Sequence, residues 1–198
     1  MSAIVKLADN SSVYEVAKVS PLSIATQLSK KFANQVYLKR EDDQIIHSFK
    51  LRGAYQKMSS MSDEQKAKGV IASSAGNHAQ GVALGASKLS IKATIVMPTS
   101  TPQIKVRAVQ ELGAEVILFG DVYDDAFVHA KKLVSEKDLC FISPYDDFEV
   151  IAGQATVAKE ILAQLDQIDY VFSPVGGGGL ISGMASYIKH YAPHIKVI

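Results

Sequence analysis

The sequence has no tryptophan and a single cysteine, Cys140. No disulfide can form within the chain, which fits a reducing compartment. Cys140 lies in the apolar run 139–142, which reads as a buried strand, so the expectation is an inert core thiol. Charge of one sign is also missing. The 21 Lys and Arg against 20 Asp and Glu leave a net charge of +1, with no broad field to draw nucleic acid or an anionic membrane. The densest basic pairs, Lys30-Lys31 and Lys131-Lys132, read as solvated helix faces. No run approaches the ~18 apolar residues of a membrane span, and residues 1–10 lack a basic leader followed by an apolar stretch. The expectation is a soluble, cytoplasmic protein with no nucleic-acid or membrane partner. Metal ligation is not expected either. His190 and His194 stand four apart, but Pro193 breaks the helix between them, and the adjacent acidic pairs such as Asp42-Asp43 do not face one another.

At 198 residues the chain can build one good core, or one domain and part of another. Short β-type runs alternate with longer helical patterns. Strands are expected at 36–39, 70–73, 93–97, 115–119, 139–142 and 170–173, with a further start at 195–198. Helices are expected at 48–61, 77–88, 101–112, 122–137, 149–165 and 180–191. Ser48 is placed to cap the first of these. Ser62 to Gln65 has capping-box spacing and starts another short helix. Near-continuous apolar strands alternating with helices argue for an α/β fold with parallel sheets flanked by helices. The last run, 195–198, reads as a strand entering a sheet, so the chain is expected to be a piece of a longer protein.

Three segments could carry chemistry. In the first, Ser48-Phe49-Lys50 opens a helix. A helix N-terminus disfavours a cation, so Lys50 is easier to deprotonate, and a neutral amine can form a Schiff base with a carbonyl. The plainer reading is a solvated surface lysine. In the second, Ser73-Ser74-Ala75-Gly76-Asn77-His78 follows a strand and opens a helix. Small residues let the backbone approach a ligand, and free N–H groups there bind anions, carboxylates included. The plainer reading is a turn capped by Asn77. In the third, Gly176-Gly177-Gly178-Gly179-Leu180 joins an apolar strand to a helix, and its N–H groups can nest a phosphate. This is neither a Walker A loop nor a clean dinucleotide fingerprint, and a flexible loop without ligand is its plainer reading. His47 flanks the first segment and, like His78, is a candidate to shape a site.

Together the three segments resemble the fold-type II pyridoxal-phosphate enzymes, the tryptophan-synthase-β-like family. That family shares a Ser-Phe-Lys segment, a Ser-Ala-Gly-Asn-His segment and a later tetraglycine loop, in this order and at about this spacing. Within it, the runs 39–42, 47–55, 69–71, 74–83, 95–98 and 174–180 look like those of biosynthetic threonine dehydratases. The likeness extends from about Val13 to Ile198. It implies that Lys50 holds pyridoxal 5'-phosphate covalently and then acts as the base at the substrate's Cα. It implies that Asn77 bonds the ring's phenolic oxygen and that Gly176 to Gly179 and Leu180 hold the phosphate. Ser74, Ala75, Gly76 and His78 are implied to line the seat of the substrate carboxylate.

The reaction so implied is conversion of L-threonine, or L-serine, to a 2-oxo acid and ammonia; with threonine this is the first step of isoleucine biosynthesis. The resemblance further implies a homo-oligomer, dimer or tetramer. It implies a two-lobed fold in which 52–147 form a small α/β domain and 1–51 with 148–198 form part of a large cofactor-binding domain. Family members supply a serine or cysteine to the pyridine nitrogen from a segment beyond residue 198. The rival readings are a serine dehydratase or racemase type enzyme, a non-catalytic fragment that binds the cofactor or phosphate, and a nucleotide-binding domain.

Overall fold

The computed structural model describes residues 3–198. The chain opens with helix α1 (Ala3–Asp9), strand β1 (Leu22–Ile24), helix α2 (Thr26–Phe32) and strand β2 (Tyr37–Lys39). Helices α3 (Lys50–Ser59) and α4 (Asp63–Lys68) follow. The alternating part is β3 (Val70–Ser73), α5 (Asn77–Lys88), β4 (Ala93–Met97), α6 (Gln103–Glu111), β5 (Glu115–Leu118), α7 (Tyr123–Lys137) and β6 (Cys140–Phe141). The chain finishes with α8 (Phe148–Gln164), β7 (Tyr170–Val171), α9 (Gly179–Tyr191) and β8 (Lys196–Val197).

Strands β3 to β6 form one parallel sheet in the order β5-β4-β3-β6. All four residues of β3 are buried, because helices cover both faces. Val70 and Ala72 pack with Val82 and Ala86 of α5 on one side. Ile71 packs with Ala126, Ala130 and Leu133 of α7 on the other. The period of two in a strand sends neighbours to opposite faces. A second core joins α1, α8 and α9 through Val5, Val157, Ile161, Met184 and Ile188. Beside it lie the parallel pair β7-β8 and the pair β1-β2.

The pair β1-β2 is antiparallel, and of its two strands only the one near 36–39 was expected. Strands of three residues, with Ile24 and Leu38 both exposed, carry no periodicity that could reveal their direction. Helices α1 and α2 were likewise not anticipated; each has 7 residues, two turns, too few to impress a pattern. The expected strand at 139–142 is only two residues long and Cys140 is partly exposed, its Sγ 3.7 Å from the Gln65 carbonyl. It borders the core instead of lying in it.

Helix α3 is held more tightly than any propensity requires. A Cβ added to Gly153 of α8 would lie 2.6 Å from the Arg52 carbonyl oxygen and 2.7 Å from the Gly53 Cα. A Cβ on Gly81 of α5 would lie 3.0 Å from the carbonyl carbon and oxygen of Lys50. These glycines let α5 and α8 approach α3 backbone to backbone. The grip is completed by Arg52, fully buried, which pairs with Glu41 at 2.8 Å and Glu160 at 2.6 Å. Lys39 pairs with Glu160 at 2.6 Å, so two cations face two anions and no net charge is buried.

The sheet order fixes where a ligand can enter. From β3 the chain steps outward to β4 and β5, then returns through α7 to set β6 on the other side of β3. The order reverses between β3 and β6. In open parallel sheets the crevice beyond the carboxyl ends of such strands is the binding position.

Candidate active site

Of the two strands at the reversal, only β3 ends in a segment singled out by the sequence. Beyond β3 comes the turn Ser74-Ala75-Gly76, and beyond β6 comes the turn 142–147. Lys50 stands at the first position of α3. Its helix begins after Phe49, one residue later than a Ser48 cap requires, and Phe49 occupies the cap position with αR backbone. The Ser48 hydroxyl still accepts from the Lys50 N–H at 3.2 Å. The Lys50 Nζ donates to the Pro144 carbonyl at 2.7 Å. Partial burial lowers its pKa, and the structure shows no anionic partner to restore it. A half-buried amine on a neutral acceptor, at the positive end of a helix, is the state a Schiff-base lysine needs.

The turn after β3 opens α5. The Gly76 N–H donates to the Ser74 hydroxyl at 3.2 Å, and the Ser74 N–H to the Val96 carbonyl at 3.2 Å. Among the described residues the N–H groups of Ala75, Asn77 and His78 have no acceptor, so three donors at a helix start could take a carboxylate. Asn77 does not cap the helix; Gly76 occupies that position. The Asn77 side chain is exposed and free to donate.

His78 points elsewhere. It is buried, and its Nε2–H donates to the Ile142 carbonyl at 3.0 Å. A carbonyl only accepts, so Nε2 carries the proton and Nδ1 does not. Burial, aided by the nearby Lys50 charge, pushes the imidazole down to about 4. His78 therefore ties α5 to the end of β6 as a neutral ring. His47 sits away from the turn, exposed, with Nδ1 3.0 Å from the Asp42 carbonyl.

The tetraglycine loop leads from β7 into α9. Gly178, with φ of +86°, is the residue before the helix, a left-handed conformation that favours glycine. A Cβ on Gly176 would meet nothing within 4 Å, so the backbone is open to a ligand there. Among the described residues, none of the N–H groups of Gly176 to Gly179 and Leu180 has an acceptor. Five free donors at the start of a 13-residue helix, with the helix dipole behind them, could hold a phosphate.

Lys50 and this loop meet on adjacent residues of one turn. Pro144 takes the Lys50 amine, and Tyr145 lies against Gly177 and Gly179. The sequence could not announce this turn, since Ser143 to Asp147 carry no motif. A further cavity lies elsewhere. It is about 530 Å³, lined by Leu38, Phe49, Ile161, Phe172 and Leu180, between the edges of β2 and β7. Lys50 does not line it. A smaller cavity of about 410 Å³, between Phe127, Lys131, Phe141 and Tyr145, borders the turn itself.

Pyridoxal phosphate fits these residues. The amine suits its aldehyde, the glycine cradle its phosphate, and the unpartnered Asn77 its ring oxygen. Among the described residues no group of three His, Cys, Asp or Glu could hold a metal, and no helix is long and apolar enough to cross a membrane.

Residues 14–198 match the family described as pyridoxal-phosphate dependent enzyme. The whole chain is 54% identical to the biosynthetic L-threonine dehydratase of Haemophilus influenzae, covering 38% of that protein. Over 94% of its length it is 56% identical to the chloroplastic biosynthetic threonine dehydratase of Arabidopsis thaliana, covering 32% of it. Among solved structures, the processed form of threonine deaminase isoform 2 from Solanum lycopersicum superposes with a TM-score of 0.96 at 51% identity. The match covers 98% of this chain and 53% of that one. The chain thus spans about a third of the length of these curated relatives.

Proposed function

The chain belongs to the pyridoxal-phosphate dependent enzyme family, and from that premise we propose that it carries the cofactor-binding part of a threonine ammonia-lyase, an enzyme that converts L-threonine to 2-oxobutanoate and ammonia. One observation carries the reading: the Lys50 amine and the tetraglycine cradle converge on Pro144 and Tyr145. Identities of 54% and 56% to threonine dehydratases support the choice of substrate.

When bound, the cofactor supplies an electron sink for charge released at the substrate's Cα. The protein supplies the rest. The N–H groups of Gly176 to Leu180 would hold the phosphate, and the Asn77 carboxamide would donate to the ring oxygen. Ala75, Asn77 and His78 N–H groups orient the substrate carboxylate, with Ser74 and Gly76 shaping that turn. The Lys50 side chain has two roles. It would hold the cofactor covalently, and its amine, once free, would be the base placed to take the Cα proton and to pass it to the departing β-hydroxyl. Desolvation lowers the pKa of that amine, which favours giving up its proton. The β-hydroxyl then leaves as water, and hydrolysis of the enamine product returns that water, giving one 2-oxobutanoate and one ammonia per threonine.

Two separate apolar clusters, one around the parallel sheet and one around α8 and α9, support lobes at 52–147 and at 1–51 with 148–198. A single cysteine suits a cytoplasmic setting. Family likeness supports a homo-oligomer, dimer or tetramer, which sedimentation would measure.

The test is the visible spectrum of the purified chain with pyridoxal phosphate, before and after L-threonine. A band above 400 nm that changes with threonine while 2-oxobutanoate accumulates is the expected result. Faster turnover of L-serine than of L-threonine would reassign the substrate. Binding without ammonia release from either would leave a cofactor-binding fragment.

A further inference from the structure

We propose that Tyr145 is the positioning residue of the tetraglycine loop, and that its glycines serve two separate demands. Gly177 and Gly179 make room for Tyr145, whereas Gly176 and Gly178 leave the backbone free for the ligand. The inference rests on the reading above for the identity of the ligand; the packing stands without it.

The four positions differ in what a side chain would meet. A Cβ on Gly177 would overlap the Tyr145 ring at Cδ1, Cγ and Cε1. A Cβ on Gly179 would lie 2.8 Å from the Tyr145 carbonyl oxygen and 2.9 Å from its Cα, atoms of a backbone that cannot swing aside. At Gly176 there is nothing within 4 Å, and at Gly178 the nearest atom is the Ser182 Oγ at 4.0 Å. Space does not require glycine at those two positions; ligand approach at Gly176 and the positive φ at Gly178 do.

Tyr145 is itself fixed from both sides. The Ser143 hydroxyl accepts from the N–H of Tyr145 at 3.5 Å and of Asp146 at 3.1 Å. Just upstream, Ile142 takes the His78 ring and Pro144 takes Lys50. Just downstream, Asp147 caps α8 by accepting from the Glu149 N–H at 2.9 Å, and pairs with Lys57 of α3 at 2.7 Å. The turn is therefore clamped to α3, α5 and α8 and presents the ring to the loop. Four consecutive glycines have the largest backbone entropy to lose. A fixed aromatic face narrows their range before the ligand arrives, and such preorganisation strengthens binding. The Tyr145 hydroxyl is not hydrogen-bonded to any described residue, so the ring is the working part.

The experiment titrates pyridoxal phosphate into the 198-residue chain by fluorescence quenching, with thermal midpoints measured in parallel. Tyr145→Phe should keep the affinity within about twofold, and Tyr145→Ala should weaken it about tenfold, the scale of coupling between residues in contact. Gly177→Ala should weaken binding further, yet much less in the Tyr145→Ala background, where the overlap is gone. The double variant should bind about tenfold or more tighter than the product of the single losses, and its midpoint should recover in the same sense. Gly176→Ala should show no such coupling to Tyr145→Ala. Losses that multiply for Gly177 and Tyr145, or a Tyr145→Phe protein as impaired as Tyr145→Ala, would overturn the assignment. If the unsubstituted chain fails to bind pyridoxal phosphate, the ligand reading fails. The thermal coupling then still decides whether Tyr145 and Gly177 act as one unit.

Discussion

Replacing Arg52 with methionine tests the buried charge network that holds the lysine-bearing helix. The guanidinium is fully buried. Its Nε and Nη2 each donate to Glu41 at 2.8 Å, and its Nη1 donates to Glu160 at 2.6 Å and Thr156 at 3.1 Å. With Lys39 on Glu160 at 2.6 Å, the set balances two positive against two negative charges. Arg52→Met keeps an apolar stem but leaves Glu41 and Glu160 facing Lys39 alone. Removing one partner of a buried pair costs roughly 3–5 kcal/mol, mostly for the stranded charge. Against a total stability on the order of 5–15 kcal/mol, that is roughly a fifth or more. Glu160→Gln should be costly for the mirror reason. The double variant leaves Lys39 with Glu41 and no excess charge, so its loss should fall short of the summed single losses by about 1–3 kcal/mol. Urea denaturation of the four proteins, read as midpoints at constant slope, measures each corner of the cycle. A loss under about 1 kcal/mol for Arg52→Met, or strict additivity in the double variant, would refute the reasoning.

Other outcomes follow from the same geometry. Lys50→Ala should abolish release of 2-oxobutanoate from threonine, with the chain still folded by circular dichroism; appreciable turnover would sink its assignment as base. Burial depresses His78 to about 4 from 6.5, so the unfolded state takes up its proton first as pH falls. The contribution is intact above about pH 6.5 and is lost on going down to about 4, to the extent of about 3 kcal/mol. His78→Gln should flatten that part of the stability profile. Gly153→Ala should cost about 1–3 kcal/mol in denaturation, since its Cβ would meet backbone of Arg52 and Gly53. Ser62→Ala, which breaks the capping box with Gln65, should cost about 1 kcal/mol.

Much of the site is local and was legible in order along the chain. Strand β3 and helix α5 fall where the apolar runs and the small-residue turn place them, because burial on both faces leaves a continuous apolar strand. Ser62 and Gln65 form the capping box their spacing announces. What escaped is what has no period. The strands of β1-β2 are three residues each, and Cys140 looked buried because its neighbours are apolar while its own strand is only two residues long. His78 reads from sequence as part of a ligand loop. Its ring turns instead toward Ile142, 64 residues on, because the first turn of α5 faces β6 as well as the crevice.

By itself the sequence determined the chemistry on offer: a lysine opening a helix, a turn rich in free N–H groups, and a run of glycines before another helix. Each is set by residues within a few positions, where backbone freedom and helix polarity act. Tertiary structure alone decided that the three meet one turn, at Ile142, Pro144 and Tyr145. That depends on β6 returning to the far side of β3, on glycines at 81 and 153 that admit α5 and α8 to α3, and on a turn at Pro144 and Tyr145 that touches both lysine and loop. Contacts across 30 to 100 residues arise from how apolar faces stack, and no local spacing encodes them.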